Sequence, residues 1–251
     1  TTLFRSAVSL SWRPFSESTL RIRASYKDIF RVPTFTDLYY LRMGNTNLKP
    51  EETSQYNVGV TWSSSCGDWL RHFSISADGY YNTVKDKIVA LPTMYVWKMM
   101  NMGEVDIKGV DVNLSTQFRL PLRMSLLLAS TYSFQYAVDV TDPEAKNYKD
   151  QIPYTPRHSG TVSVTLENPW VNVSYILTAV GDRYALPQNI DRNRIDSYIE
   201  QSISINRDFR FRYFGLRLQG ELLNLANVNY DVIQYYPMPG RSWRLSICLS
   251  Y

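Results

Sequence analysis

Cysteine is scarce in this sequence: Cys66 and Cys248 are the only two in 251 residues. Their spacing fits no metal or redox motif, so they read as two unpaired thiols and not as a disulfide framework. Histidine is as scarce, with His72 and His158 alone. Neither sits in a recognisable nucleophile–base arrangement, and no nucleophile elbow or metalloprotease helix motif occurs. No catalytic residue, metal-ligand set or cofactor is therefore expected. Excess charge is also missing. The net charge is only +4 and is spread along the chain, without the basic stripe and stacking aromatics of a single-strand binder, so nucleic acid is not an expected partner. Long apolar runs are absent too. The stretch MSLLLAS at 124–130 is far short of the roughly 20 residues of a membrane-spanning helix. The opening TTLFRSAVSLSW lacks the basic start and apolar core of a secretory leader, so Thr1 reads as a mature or internal start.

What the sequence has is aromatic residues, 14% of the chain with 19 Tyr and 6 Trp, and a period of two almost throughout. Phe4, Ser6, Val8, Leu10 and Trp12 oppose Arg5, Ala7, Ser9 and Ser11. Leu20, Ile22, Ala24 and Tyr26 oppose Arg21, Arg23, Ser25 and Lys27. The same alternation recurs around Tyr56–Trp62, Phe73–Tyr81, Val110–Phe118, Met124–Gln135, Val162–Leu166, Val171–Thr178, Ile199–Ile205 and Leu216–Leu222. It ends with Trp243, Leu245, Ile247, Leu249 and Tyr251 against Ser242, Arg244, Ser246, Cys248 and Ser250. Period two argues strands, not helices. The reading is about eleven strands, each near the roughly 9–11 residues that cross a bilayer when tilted.

Connections alternate in length. Short ones are expected at RPFSES, SSSCGD, RLPL, ENP and NRDFR, and long ones near 28–52, 83–105, 138–156, 182–195 and 225–239. A soluble sandwich would bury the apolar face in a second sheet, whereas an outer-membrane barrel turns it to lipid, with short turns on one side and long loops on the other. Aromatics near strand ends (Trp12, Trp62, Phe118, Tyr132, Phe134, Tyr251) suit an interfacial girdle. The loop asymmetry favours the barrel: all-β, transmembrane and antiparallel. Charges on the polar faces, Arg21, Arg23, Lys27, Arg123, Arg217 and Arg244, are then expected to point into the lumen.

The stretch from Tyr26 to Val60 holds Phe30-Arg31-x-Pro33 and Gly44-Asn45-x-x-Leu48-Lys49-Pro50-Glu51. With NMGEVDIKGVDV, IPYTPRHSGTVSV and the closing NLANVNYDVIQYYPMPGRSWRLSICLSY, it resembles the TonB-dependent outer-membrane receptors over most of the chain. The resemblance implies an outer-membrane location and a 22-stranded barrel around an N-terminal plug. Residues 1–251 would be its C-terminal half, strands twelve to twenty-two. The plug and the first strands are expected in a second chain or segment, whose strands would pair with Thr2–Trp12 and Arg241–Tyr251, with the break falling in an extracellular loop. Implied partners are that missing half, TonB acting through the plug, and outer-membrane lipid; a surface lipoprotein is left open. The lumenal arginines would meet acidic or carbonyl groups of the plug.

The long connections carry Tyr39, Tyr40, Met94, Tyr95, Trp97, Met99, Met100, Met102, Tyr235 and Tyr236. Such side chains give adaptable contact area to a large, partly apolar ligand, and they also suit loops that pack on themselves. The substrate-binding set expected is Tyr39, Tyr40, Met94, Tyr95, Trp97, Met99, Tyr235 and Tyr236, with Tyr95 and Trp97 foremost. The family motif reads mainly as loop-shaping. Within the resemblance the cargo is cobalamin first and iron chelates or haem next. A SusC-type glycan importer, a barrel enzyme and a passive porin remain as alternatives.

Overall fold

The computed structural model describes residues 6–93 and 95–250; Phe4, Arg5, Met94 and Tyr251 lie outside these. Fifteen strands follow one another in the described chain. They are β1 (Ala7–Trp12), β2 (Arg21–Arg31), β3 (Glu51–Cys66), β4 (Leu70–Pro92), β5 (Trp97–Leu120), β6 (Met124–Asp139), β7 (His158–Glu167), β8 (Asn172–Val180), β9 (Arg183–Tyr184), β10 (Arg194–Ile195), β11 (Tyr198–Arg210), β12 (Gly215–Leu223), β13 (Asp231–Ile233), β14 (Tyr236–Pro237) and β15 (Ser242–Ser250). Eleven of them form one antiparallel sheet in the order β1-β2-β3-β4-β5-β6-β7-β8-β11-β12-β15. This is the meander expected, each strand beside its predecessor. The remaining four make two short ribbons, β9–β10 and β13–β14, inside the long connections. The sheet is open: β1 and β15 are its two edges and do not pair with each other.

Register carries the alternation across the sheet. Arg23, Gly59, Asp78, Asp111, Ser133 and Ser159 lie in one row, and Ile22, Val60, Ala77, Val112, Tyr132 and Gly160 in the next. One face is therefore polar and the other apolar. On the apolar face, Tyr26, Tyr56, Tyr81, Lys108 and Tyr136 form a single row toward the loop end. Ring centroids are 4.9 Å apart for Tyr26–Tyr56, and Lys108 lies over the Tyr136 ring. Toward the turn end sit Trp62 against Phe73 and Trp69 against Phe118. Lys108 and Phe118 are ten residues apart on β5, about 33 Å of strand. At a tilt of ~40° this projects to about 25 Å, the height of a barrel's apolar band.

Three of the polar-face charges are paired within the sheet. Arg23 Nη2 donates to Asp78 Oδ1 at 2.9 Å. Arg217 makes a forked bond to Asp208, at 2.6 and 2.9 Å. Arg244 pairs with Glu221 on the neighbouring strand. These three arginines have carboxylate partners of their own. Arg21 stays on the same face, opposite Thr61. Arg123 is a correction: it precedes β6, in a tight turn where Leu122 and Arg123 both take positive φ, 59° and 60°. Such a turn suits the strand twist but disfavours side-chain-bearing residues; RLPL reads from sequence as a short connection, and only the β6 alternation, read one residue too early, puts Arg123 on the strand.

Gly59 explains how Arg23 and Asp78 meet across an intervening strand. A Cβ on Gly59 would fall 1.9 Å from Asp78 Oδ1, so the carboxylate occupies the space a side chain would fill. Gly59→Val in the full-length protein should separate the pair and cost about 1–3 kcal/mol through overpacking. A lowered denaturation midpoint is the expected readout; an unchanged midpoint would refute the packing account.

Two expectations fail on element length. The 83–105 connection is not a loop: β4 and β5 run 23 and 24 residues and pair out to Pro92 and Trp97. NRDFR is the end of β11, and the turn follows at 211–214, where the Phe211 N–H donates to the Phe214 carbonyl. The charged and Met-rich 85–102 stretch does not alternate because both sides of this ribbon stand beyond the apolar band. There the polar face turns apolar. Val84, Val105, Ile107 and Ala137 pack with Met102 and Ile152, as the 140–157 connection folds back and the Ile152 N–H donates to the Ala137 carbonyl.

Candidate functional site at the loop end

The connection from β2 to β3 begins with Arg31, the last residue of β2. Its guanidinium reaches Asp37 at 3.1 Å and Glu51 at 3.6 Å. Asp37 lies in α1 (Phe35–Tyr39), capped by Thr34: the Asp37 N–H donates to Thr34 Oγ1, and the Thr34 N–H to Asp37 Oδ2. Burial pushes the Asp37 carboxyl upward, but the Thr34 bonds and the Arg31 charge outweigh it and hold the group below the ordinary Asp value. Glu51 also accepts from the Ile88 N–H at 3.1 Å, joining the connection to β4.

The Gly-Asn-x-x-Leu-Lys-Pro-Glu segment continues this tie. Met99 donates its N–H to the Met43 carbonyl at 2.9 Å, and Asn45 Nδ2 to the Met99 carbonyl at 3.1 Å. Asn101 accepts from the Lys49 N–H and donates to the Lys49 and Asp86 carbonyls. The motif is thus a clasp that fastens the β2–β3 connection to the long β4–β5 ribbon. Loop-shaping is what its residues do here.

Behind the clasp, Trp97 packs on Tyr154 at a centroid distance of 5.6 Å. Tyr154 holds a positive φ of 58° and donates its N–H to the Tyr184 carbonyl on β9. Burial raises its phenol above the ordinary value, against the opposing pull of the Gln234 backbone and Arg183. Arg183 is 3% exposed and donates to the Asp231 and Val232 carbonyls of β13. Its guanidinium lies 5.5 Å from the centre of the Tyr198 ring. Tyr198 in turn stacks on Tyr230 at 4.1 Å, and the Tyr230 hydroxyl donates to Glu200. Burial, then Glu200, pushes the Tyr230 phenol up to about 12.

The expected binding residues divide into two groups. Trp97 and Met99 belong to β5 and are committed to internal contacts, which corrects their assignment to a free loop. Tyr39, Tyr40, Tyr95, Tyr235 and Tyr236 project from three separate connections, with Tyr95 89% and Tyr235 79% exposed. Tyr235 sits at positive φ, 67°, between β13 and β14. Sequence reasoning passed over Tyr154, Arg183, Tyr198 and Tyr230. A buried arginine leaves no periodic signal, although Tyr154 lies in a segment already marked by its flanking prolines, Pro153 and Pro156.

A strand meander with one polar face, a charged clasp and long connections at one end matches a known pattern. The family model described as TonB dependent receptor-like, beta-barrel matches residues 3–225. The chain belongs to that family. The receptor-family barrel is 27% identical over 236 residues to the vitamin B12 transporter BtuB of Photobacterium profundum, a match covering 90% of this chain and 34% of that protein. It superposes on the copper transporter OprC with a TM-score of 0.72 at 16% identity, over 98% of this chain and 39% of that one. The siderophore receptor PiuA from Acinetobacter baumannii gives 0.70 at 16% identity, over 97% of this chain and 35% of that one. At these identities the structural likeness is one of fold. The barrel chain thus spans about a third of the length of the proteins it matches.

Proposed function

We propose that this chain is the C-terminal part of the barrel of a TonB-dependent outer-membrane active transporter, and that cobalamin is its cargo. The observation that carries this reading is the family match over residues 3–225, joined by the relation to a vitamin B12 transporter across 90% of the chain. On this reading the polar face with Arg21, Arg23, Arg217 and Arg244 lines the lumen. A further segment supplies the plug and the remaining strands, and TonB acts through that plug. The enzyme, passive-pore and SusC-type alternatives have no observation in their favour. A ferric-chelate receptor is the second reading, supported by the fold shared with a siderophore receptor.

The full-length receptor should restore cobalamin uptake to a Gram-negative host lacking its own cobalamin receptor, and only when the host has TonB. Uptake of ferric siderophore without cobalamin would move the assignment to the second reading, and uptake independent of TonB would reject both.

The exposed tyrosines provide a finer test. A buried aromatic contact is worth on the order of 1–2 kcal/mol, so Tyr95→Ala should weaken cyanocobalamin binding about tenfold and leave barrel assembly intact. Trp97→Ala should act differently, by releasing Tyr154. Equal affinity in wild type and Tyr95→Ala would remove Tyr95 from the capture surface.

A further inference from the structure

Arg183 is a buried cation without a buried anion. Its Nη2 is satisfied by the Asp231 and Val232 carbonyls. Its Nη1 is fully buried and has no hydrogen-bond partner. The neighbouring acids are engaged elsewhere. Asp182 faces Arg194 at 3.6 Å and accepts the Ser197 N–H. Asp231 uses its carboxylate on the Tyr235 N–H, and Glu200 holds the Tyr230 hydroxyl. Among the described residues no carboxylate lies within ion-pair distance of Arg183. An unpaired guanidinium edge inside protein loses its hydration without replacement, and such a group calls for a specific explanation.

The place of this arginine supplies one. Tyr198 pairs with Val180 and shares the polar face with Glu200 and Ser202, so the Arg183–Tyr198–Tyr230 stack stands over the polar face at the loop end. The β13–β14 ribbon covers it and ends in the exposed Tyr235 and Tyr236. Two backbone carbonyls and an aromatic face hold the guanidinium plane, leaving its free edge presented in a fixed orientation. The two N–H groups of Nη1, charged and unpartnered, suit an oxygen of a carboxylate or phosphate.

We propose that Arg183 is an anion-recognition residue of the loop end, whose Nη1 edge takes an oxygen of a carboxylate or phosphate when the tip of the β13–β14 ribbon moves aside and the Asp231 and Val232 carbonyls stay on Nη2. The oxyanion is either free or part of the imported molecule. Only the second case rests on the transport reading above.

The experiment is calorimetric titration of the full-length receptor in detergent with sodium phosphate, against sodium chloride at matched ionic strength. Wild type should bind phosphate saturably. Arg183→Gln should weaken binding at least tenfold and Arg183→Lys should retain part of it, whereas Arg192→Gln, an exposed arginine of the same connection, should match wild type. Hydrogen exchange of the barrel strands shows whether each variant is folded. In the wild type, the 231–237 segment should change its exchange rate with phosphate. A second arm titrates cyanocobalamin, which carries a phosphodiester, with and without phosphate. Competition identifies the cargo's own anionic group, and its absence beside saturable phosphate binding identifies a free anion. No saturable phosphate binding by wild type, or equal binding by a folded Arg183→Gln, would overturn the proposal, whatever the receptor transports.

Discussion

Expressed without any other part of its barrel, the 251-residue chain is expected not to insert as a closed pore. Its two edge strands, β1 and β15, each present one row of backbone N–H and C=O groups to no neighbour in the sheet. In hydrocarbon every such group costs several kcal/mol, and spanning sheets survive only when closed. Summed over even one edge, this exceeds the ~5–15 kcal/mol by which whole domains are stable. The eleven sheet strands are also an odd number, whereas bacterial single-chain barrels have even ones. Heat-modifiable mobility on a gel is the readout. The chain alone should run as unfolded or aggregated material, while the full-length receptor should show a folded, heat-shifted band. A heat-modifiable band from the chain alone, with β1 cross-linked to β15, would show that these strands close on each other and would defeat the proposal of a missing half.

The second large effect is expected at Gly44. A Cβ there would lie 2.6 Å from the Leu38 carbonyl oxygen and 2.7 Å from the Tyr40 nitrogen. Both are backbone atoms, so no rotamer change relieves the contact. Gly44→Val should push α1 away from the segment that follows it. The bonds from Asn45 and Met99 would go with it, and the β2–β3 connection would come off the β4–β5 ribbon. Because the clasp lies outside the sheet, the barrel strands should keep their hydrogen-exchange protection while residues 32–50 lose theirs, by tenfold or more. Limited proteolysis should cut within the same segment. Full protection of 32–50 in Gly44→Val would show that the clasp does not depend on this close approach.

The motif around Gly44 shows where sequence reading stops. Its presence and its tendency to shape loops were legible from the punctuation of Gly and Pro. Its partners were not, because Asn101 and Met99 lie more than fifty residues away on a stretch with no alternation. The same holds for Arg183. Nothing in Gly-Asp-Arg-Tyr distinguishes a buried arginine from a solvated one until β13 and Tyr198 fold over it. Arg123 misled for a local reason: an alternating pattern continues through a tight turn even where the backbone has left the strand.

By itself the sequence determined the class of the protein. Period-two alternation over eleven segments assigns each side chain a face, since a one-residue slip would turn the whole apolar set to the wrong side. It also separates the short-turn end from the long-connection end. Only the tertiary structure decided which charges neutralise one another, because Arg23 and Asp78, fifty-five residues apart in the chain, meet through register across a glycine. It likewise decided that 83–105 is a paired ribbon, since hydrogen bonding between β4 and β5 needs no alternating pattern once both sides stand clear of the apolar band. And it buried Arg183 among carbonyls and an aromatic ring, a placement set by how separate connections pack together and by no one of them alone.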